Sequence, residues 1–384
     1  MSSVVLVTTS FPQGQPGSEA AGTFVADFAT ELAQYAYVSV VAPGPTSRVD
    51  SCAGLTVYRY AAPEGALSQL KATRIGHWGA IAAVLRAGTL ALDRAFVARP
   101  VDHILAFWAL PCGYWARRAG KARGVPYSVW ALGSDVWQLG GLPIVRGVLA
   151  RVLRDATCCF ADGMELMHAV ERLSGRECRF LPSSRRLPVR GERRQRSAPP
   201  YRLAFLGRWH PNKGVDLMLQ ALRGLPDNAW RLIRDVRVCG GGILDAAVRA
   251  EISVLRAAGR PVQAGSYLDK QGAADLLESS DFLLLPSRIE SIPVIFSDAL
   301  QAGCPLVMTP VGDLPRLASE QPVGVMARTV SAEAFAQAMR EALAVGPARF
   351  ASGLGRARVQ FDLGTTARNF MEIISGRAAR MIAP

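Results

Sequence analysis

At 384 residues, half of them hydrophobic and 20% charged, the chain outgrows what one hydrophobic core usually supports, so two domains of near-equal size are expected. Seven cysteines without a Cys-x2-Cys spacing and four scattered histidines (His77, His103, His168 and His210) point away from a zinc site or a disulfide framework. The net charge of +13 makes an anionic surface, lipid headgroups or nucleic acid, the natural partner class. Val4 to Thr9 is apolar but short, lacks a basic flank, and runs into a Pro/Gly loop instead of a cleavage site. The chain is therefore expected to stay in the cytoplasm. That run is the first of a series of short apolar segments continuing at Val38 to Ala42, Leu55 to Tyr60, His103 to Trp108, Tyr127 to Leu132, Thr157 to Ala161 and Cys178 to Leu181. Helical patterns lie between them at Thr23 to Gln34, Trp78 to Val97, Cys112 to Arg123 and Gly163 to Leu173. This alternation predicts βα units and a parallel sheet. Trp78 to Val97 is the most apolar helix, but Arg86, Asp93 and Arg94 interrupt it, so it falls short of the roughly 20 uninterrupted residues of a membrane span.

Two loops of the first half carry candidate chemistry. Ser10-Phe11-Pro12 through Gly22-Thr23-Phe24 is polar, glycine-rich and enters a helix, which suits it to cover a phosphate or sugar and makes Gly22 a candidate donor contact. Trp130-Ala131-Leu132-Gly133-Ser134-Asp135 ends a strand, and Asp135 is either a hydroxyl or proton acceptor on the acceptor side or a helix N-cap. The pattern then breaks. Leu181 to Pro200 holds Arg185, Arg186, Arg190, Arg193, Arg194 and Arg196 against Glu192, a local charge of +5, and reads either as a solvated linker or as a contact with an anionic membrane surface. No basic strand with interleaved aromatics and no recognition helix accompanies it, so nucleic acid is not the expected partner.

The alternation restarts at Tyr201, with strands at Arg202 to Leu206, Val236 to Cys239, Val262 to Gly265, Phe282 to Leu285, Leu306 to Thr309 and Gly324 to Met326. Helices fit Gly214 to Leu222, Ile243 to Ala258, Gln271 to Ser279, Val294 to Ala302 and Ala332 to Ala344, and an amphipathic stretch, Thr365 to Gly376, follows. After the first of these strands, Gly207-Arg208-Trp209-His210-Pro211-Asn212-Lys213-Gly214 frees the backbone at Gly207 and sets two cations before a helix. Arginine can grip phosphate oxygens in pairs, lysine acts as a point charge, and the helix start adds amide donors, so a diphosphate is the matching ligand. Gly240, Gly241 and Gly242 either admit a ligand or make a tight turn. No Gly-x-Gly-x-x-Gly follows this strand or the first one, which disfavours a nicotinamide oxidoreductase. Finally, Pro286 to Pro305 places Glu290 in the loop after a buried strand and Asp298 eight positions later on a helix that Pro293 opens and Gly303 with Pro305 stops. Eight positions make about two helical turns, so both carboxylates can face one crevice.

The Pro286 to Pro305 text resembles the Glu-x7-Glu signature of retaining GT-B glycosyltransferases of the family-4 (glycosyl transferases group 1) type, in which Pro-Ser-x-x-Glu, a small residue and Gly-x-Pro occur in register. Asp298 stands where that family usually has glutamate, and Leu132 where a histidine often reaches the donor sugar. The resemblance implies an α/β GT-B fold, two Rossmann-like domains with parallel sheets facing across a central cleft. Its parts would be an acceptor-side domain over 1–183, a basic linker over 184–200, a nucleotide-sugar domain over 201–362 and a C-terminal helix over 363–384 returning to the first domain. It implies a retaining, metal-independent hexosyl transfer without cofactor, from a UDP- or GDP-sugar to a glycan or polyprenyl-linked lipid acceptor in cell-surface polysaccharide or glycolipid synthesis, by a cytoplasmic enzyme peripheral to the inner membrane. Arg208, Lys213 and Glu290 would be catalytic, Arg208 and Lys213 on the diphosphate and Glu290 on sugar hydroxyls. Gly22, Gly207, Ser266, Tyr267, Ser291, Ile292, Pro293, Val294 and Asp298 would bind the donor, with Ser266 and Tyr267 near the base and Asp298 on the ribose. Asp135 would lie on the acceptor side. The departures at Leu132 and Asp298 keep two alternatives in view, a noncatalytic nucleotide-sugar-binding protein and a GT-B sugar-nucleotide epimerase.

Overall fold

The computed structural model describes residues 1–13, 22–63, 74–137, 139–191 and 195–376. The chain divides into two compact units, 1–183 with 363–384, and 184–362. The stretch 184–200, read from sequence as a linker, thus belongs to the second unit, and the last helix belongs to the first.

The first unit is built on an eight-stranded sheet: β1 (Ser3–Val7), β2 (Tyr37–Gly44), β3 (Arg48–Cys52), β4 (Leu55–Ala61), β5 (His103–Phe107), β6 (Tyr127–Ala131), β7 (Cys158–Ala161) and β8 (Cys178–Phe180). Their order is β3-β4-β2-β1-β5-β6-β7-β8, with only β3 antiparallel. β1 and β5 are buried along their whole length, as expected of central parallel strands covered on both faces. The helices are α1 (Thr23–Leu32), α2 (Trp78–Ala98), α3 (Tyr114–Arg123), α4 (Ser134–Trp137), α5 (Pro143–Asp155) and α6 (Met164–Ser174). Sequence patterning misses β3, an exposed polar edge strand turned by Ala53 and Gly54 at positive φ. It also misses α5, whose start is a proline after a Gly-Gly pair.

The second unit carries six parallel strands: β9 (Tyr201–Arg208), β10 (Ile233–Gly241), β11 (Val262–Gly265), β12 (Phe282–Leu285), β13 (Leu306–Met308) and β14 (Gly324–Met326). Their order, β11-β10-β9-β12-β13-β14, is the doubly wound 3-2-1-4-5-6 arrangement, in which the chain reverses direction across the sheet between its first and fourth strands. The helices α7 (Val215–Arg223), α8 (Asp227–Trp230), α9 (Asp245–Ala257), α10 (Lys270–Ser279), α11 (Val294–Gln301), α12 (Leu314–Glu320), α13 (Ala332–Val345) and α14 (Ala351–Gln360) complete this unit. Among the described residues no helix is long and apolar enough to cross a membrane.

The last helix, α15 (Leu363–Ile374), buries Leu363, Thr366, Ala367 and Phe370, an i, i+3, i+4, i+7 stripe, in the core of the first unit. Phe370 meets Phe28 and Phe160 with ring centroids 5.8 and 5.6 Å away. A segment far away in sequence therefore completes that core. Phe370→Ala should destabilise the first unit by about 3 to 5 kcal/mol, measured as a lowered midpoint in chemical denaturation, with the second unit's transition unmoved.

Candidate functional site

In a doubly wound sheet the ligand crevice opens where the strand order reverses, at the carboxyl ends of the strands. In the second unit those strands are β9 and β12, and the loops leaving them carry Arg208 to Gly214 and Pro286 to Pro293. The loops are fastened to one another. Gly214 has φ +67, and a Cβ there would stand 1.9 Å from the Pro286 carbonyl oxygen, so only glycine allows this approach. The Arg288 amide donates to the Asn212 carbonyl at 2.8 Å, and the Arg288 guanidinium reaches the Pro211 carbonyl at 2.7 Å and Asp216 in bidentate fashion at 2.8 and 2.9 Å. A third loop joins them: Gly312, at φ +52, lies so close that a Cβ would come within 2.3 Å of the Glu290 carbonyl oxygen. Sequence reading passed over Arg288, Asp216 and Gly312. Arg288 fills a variable slot of the motif, and the other two gain meaning only from the approach of loops.

Lys213 and Glu290, one from each loop, form an ion pair at 2.5 Å, and Ser287 Oγ donates to the same Glu290 oxygen at 2.9 Å. Arg208 is exposed, and among the described residues no carboxylate pairs with it. His210 lies in the field of both cations: burial first, then the charges of Arg208 and Lys213, hold its imidazole below the ordinary histidine range. Its Nδ1 accepts from the Asn212 amide at 3.2 Å, so it shapes the loop. Ser291, Ile292 and Pro293 are buried, and the Ser291 hydroxyl has no hydrogen-bond partner among the described residues. Pro293 has extended backbone (φ −71, ψ 139) and precedes the helix instead of forming its first residue, so α11 begins at Val294 with no side-chain cap. Its leading amides are left for a ligand or solvent. Gly207 stands at the carboxyl end of β9, and a Cβ added to it would meet nothing closer than the Phe205 ring at 3.6 Å.

Beside this crevice, Tyr267 donates to the Gly241 carbonyl at 2.6 Å and lies against the glycine turn, which resolves that turn as a tight packing surface. Burial raises the Tyr267 hydroxyl above its ordinary range, and the Arg208 charge opposes that rise. Ser266 is exposed.

Asp298 is placed differently from its expected partner. Its side chain is 1% exposed, and its oxygens accept from Arg185 Nε at 3.0 and 2.9 Å and from Nη2 at 2.7 Å. The two carboxylates expected to share a crevice are thus held by different cations, Glu290 by Lys213 and Asp298 by Arg185. The same segment adds a Leu187 amide to Gln301 contact at 3.1 Å, an Arg190 to Asp275 pair at 2.9 Å and an Arg196 to Asp281 pair at 3.3 Å. The stretch 184–200 is thus tied in part to the second unit, whose carboxylates pair with Arg185, Arg190 and Arg196, while Arg190 and Arg196 stay exposed. Glu192, Arg193 and Arg194 lie outside the described residues.

In the first unit the corresponding reversal falls between β1 and β5. Gly22, at φ +73, enters α1 so close to Ser10 that a Cβ would lie 2.2 Å from its carbonyl oxygen. Residues 14–21 of that loop lie outside the described residues. Asp135 is 2% exposed and accepts from the Ala109 and Leu132 amides at 2.6 and 3.3 Å. Burial raises its carboxyl above the usual range while those amides oppose the rise. Its hydrogen bonds make it a brace for the chain leaving β5. At that exit Trp108 takes φ +67, costly for a bulky residue, a strain of the kind that collects at ligand sites. No sequence signal marks it.

Residues 200–344 match the model of the family described as glycosyl transferases group 1. The matched stretch lies within the second unit. D-inositol 3-phosphate glycosyltransferase of Corynebacterium aurimucosum is 27% identical over 183 residues, 45% of this chain and 42% of the relative. The counterpart from Mycobacteroides abscessus is 26% identical over 181 residues, 47% and 40%. The chain thus spans about two fifths of the length of these curated relatives. The putative teichuronic acid biosynthesis glycosyltransferase TuaC of Bacillus subtilis is 26% identical over 253 residues, 62% of this chain and 60% of the relative. Sucrose-phosphate synthase of Thermosynechococcus elongatus superposes over 99% of this chain and 100% of its own with a TM-score of 0.76 at 15% identity. HepE of Anabaena, solved with UDP-glucose, superposes over 97% and 99% with a TM-score of 0.70 at 14% identity. The fold is GT-B.

The Arg185 and Asp298 pair is nearly buried, at 12% and 1% exposure. Arg185→Ala removes the cation of a buried carboxylate and should cost the second unit about 3 to 5 kcal/mol. The Arg185→Ala, Asp298→Ala double variant should recover part of that loss, and thermal denaturation of the single and double variants measures it.

Proposed function

We propose that this protein is a retaining, metal-independent glycosyltransferase that moves a sugar from a nucleoside diphosphate sugar, UDP- or GDP-linked, to a glycan or lipid-linked acceptor in cell-surface polysaccharide or glycolipid synthesis. The carrying observation is the Lys213 and Glu290 pair at the β9 and β12 strand ends, with Arg208 and the uncapped start of α11 in the same loops. The match of residues 200–344 to the glycosyl transferases group 1 model and a fold relative solved with UDP-glucose support it.

Breaking the bond between the anomeric carbon and phosphate builds negative charge on the diphosphate, so cations and amides fixed in advance where that charge appears lower the barrier. Arg208, Lys213 and the amides around Ile292 to Val294 take that part. Lys213 is balanced by Glu290. A diphosphate would compete for the lysine and leave Glu290 to accept from sugar hydroxyls. Gly207 allows the phosphates to approach the backbone, and Ser291 offers its hydroxyl to the same ligand. Gly22, at the start of α1, is the first unit's donor contact in this reading, and Ser266 and Tyr267 flank the base. Asp298 serves the ribose side together with the arginine that grips it. Asp135 acts on the acceptor side by bracing the β5 exit. The leaving phosphate takes the acceptor's proton, and attack comes from the face it vacates.

Lys213→Ala and Arg208→Ala should each slow release of nucleoside diphosphate from the donor by about 10²- to 10³-fold, with melting temperatures close to the parent's. Near-normal turnover in both would overturn the assignment. The anomeric configuration of the product, read by NMR, tests retention, and an epimerised donor formed without acceptor would replace transfer by epimerisation.

A further inference from the structure

The loop between β9 and α7 carries a third side chain with nitrogen donors besides Arg208 and Lys213. His210 is extended (φ −137, ψ 146). Its amide donates to the Arg208 carbonyl and its carbonyl accepts from the Lys213 amide, both at 2.9 Å, so the backbone is pinned from either side. The ring is pinned too. Nδ1 accepts from the Asn212 amide at 3.2 Å, and a nitrogen that accepts carries no hydrogen, which puts the proton of the neutral ring on Nε2. Nε2 lies across the ring from that bond, and among the described residues it has no hydrogen-bond partner.

Capping alone does not call for histidine. Asparagine or aspartate would offer the Asn212 amide an oxygen, and both rank among the preferred capping residues. Imidazole adds a second nitrogen, held in a set direction by a rigid ring. It is also kept neutral. Burial first, then the charges of Arg208 and Lys213, hold it below the ordinary histidine range, and a proton arriving on Nδ1 would have to break the bond to Asn212. The other charged groups nearby are paired, Arg288 with Asp216, Arg249 with Asp245, and Lys213 with Glu290. None of these carboxylates draws a proton onto the ring.

A neutral N–H donor with a fixed direction suits an anionic oxygen. An imidazole held uncharged at one nitrogen acts through the other as a hydrogen-bond donor, a device that enzyme sites use to polarise an oxygen without giving up a proton. Here it sits in the loop that leaves the carboxyl end of β9 with Gly207, Arg208 and Lys213. A charged acceptor makes such a bond short and strong.

We propose that His210 is a further diphosphate ligand, donating from Nε2 to a phosphate oxygen beside Arg208 and Lys213 as a neutral imidazole locked in one tautomer by the Asn212 amide. This rests on the glycosyl-transfer reading. One ring then has two tasks: Nδ1 shapes the turn that leads to Lys213, and Nε2 meets the ligand. The bond requires no proton transfer, so it is in place when charge develops on the departing diphosphate.

Binding of UDP and of GDP to the full chain and to its His210→Asn variant, measured by calorimetry, tests this. Asparagine keeps an oxygen for the Asn212 amide and loses the distant N–H, so melting should stay close to the parent's while affinity falls at least about 10-fold, the weight of a hydrogen bond to a charged group. The ratio of the two dissociation constants cancels the ligand's own ionisation and should stay level between about pH 6.5 and 8, because a ring held neutral does not titrate there. A second readout uses the parent alone. The chain has four histidines, and long-range proton–nitrogen NMR correlations should show His210 as the Nε2–H tautomer, with its Nε2 resonance moving when UDP or GDP is added. A ring that only caps would leave that resonance in place and the variant's affinity undiminished, and either result overturns the inference while the glycosyl-transfer reading stands. So does a ratio that grows as pH falls, which would make the ligand an imidazolium. Failure of the parent to bind UDP and GDP alike would overturn the glycosyl-transfer reading, and this inference with it.

Discussion

Everything at the candidate site depends on holding two backbone loops closer together than side chains normally allow. Gly214 approaches the Pro286 carbonyl so nearly that no Cβ fits, and Arg288 then fastens the second loop to the first through Asn212, Pro211 and Asp216. Only with the loops locked can Lys213 and Glu290, 77 positions apart, form an ion pair at 2.5 Å. Because that pair is partly open to solvent, its own contribution to stability is modest. Its importance to the proposed reaction lies in fixing a cation and a carboxylate at a strand-order reversal.

A second electrostatic theme is the use of arginine to tie segments down. Arg185, Arg190 and Arg196 each meet a carboxylate of the second unit, so half of the six arginines of that stretch are balanced within the fold. The pairs differ in weight. Arg185 and Asp298 are nearly buried, and breaking such a pair leaves an uncompensated charge, whereas Arg190 is mostly exposed and its pair contributes little.

Much of the fold was legible because buried parallel strands write themselves as apolar runs, as Phe282–Leu285 does. The edge strands Val262–Gly265 and Gly324–Met326 also have the limits their sequence indicates. β3 was not legible, since an exposed edge strand with charged residues has no apolar period to betray it. Pro293 was misplaced by one position: its ring suits either the first helical residue or the extended residue before it, and local text does not separate the two.

At the site, sequence alone determined which residue types gather at the strand ends: two cations after β9, a carboxylate after β12, and glycines where backbone must pass backbone. Those follow from local spacing, because a loop a few residues long cannot stray far from its strand. Tertiary structure decided the partnerships. That Glu290 faces Lys213, that Asp298 is taken by Arg185 from a segment 113 positions away, that Asp135 turns inward to brace Ala109 and that Trp108 is held at positive φ all depend on which distant loops the sheet order brings together. Ion pairs and close packing act through space, and the spacing of letters along a chain does not carry that distance.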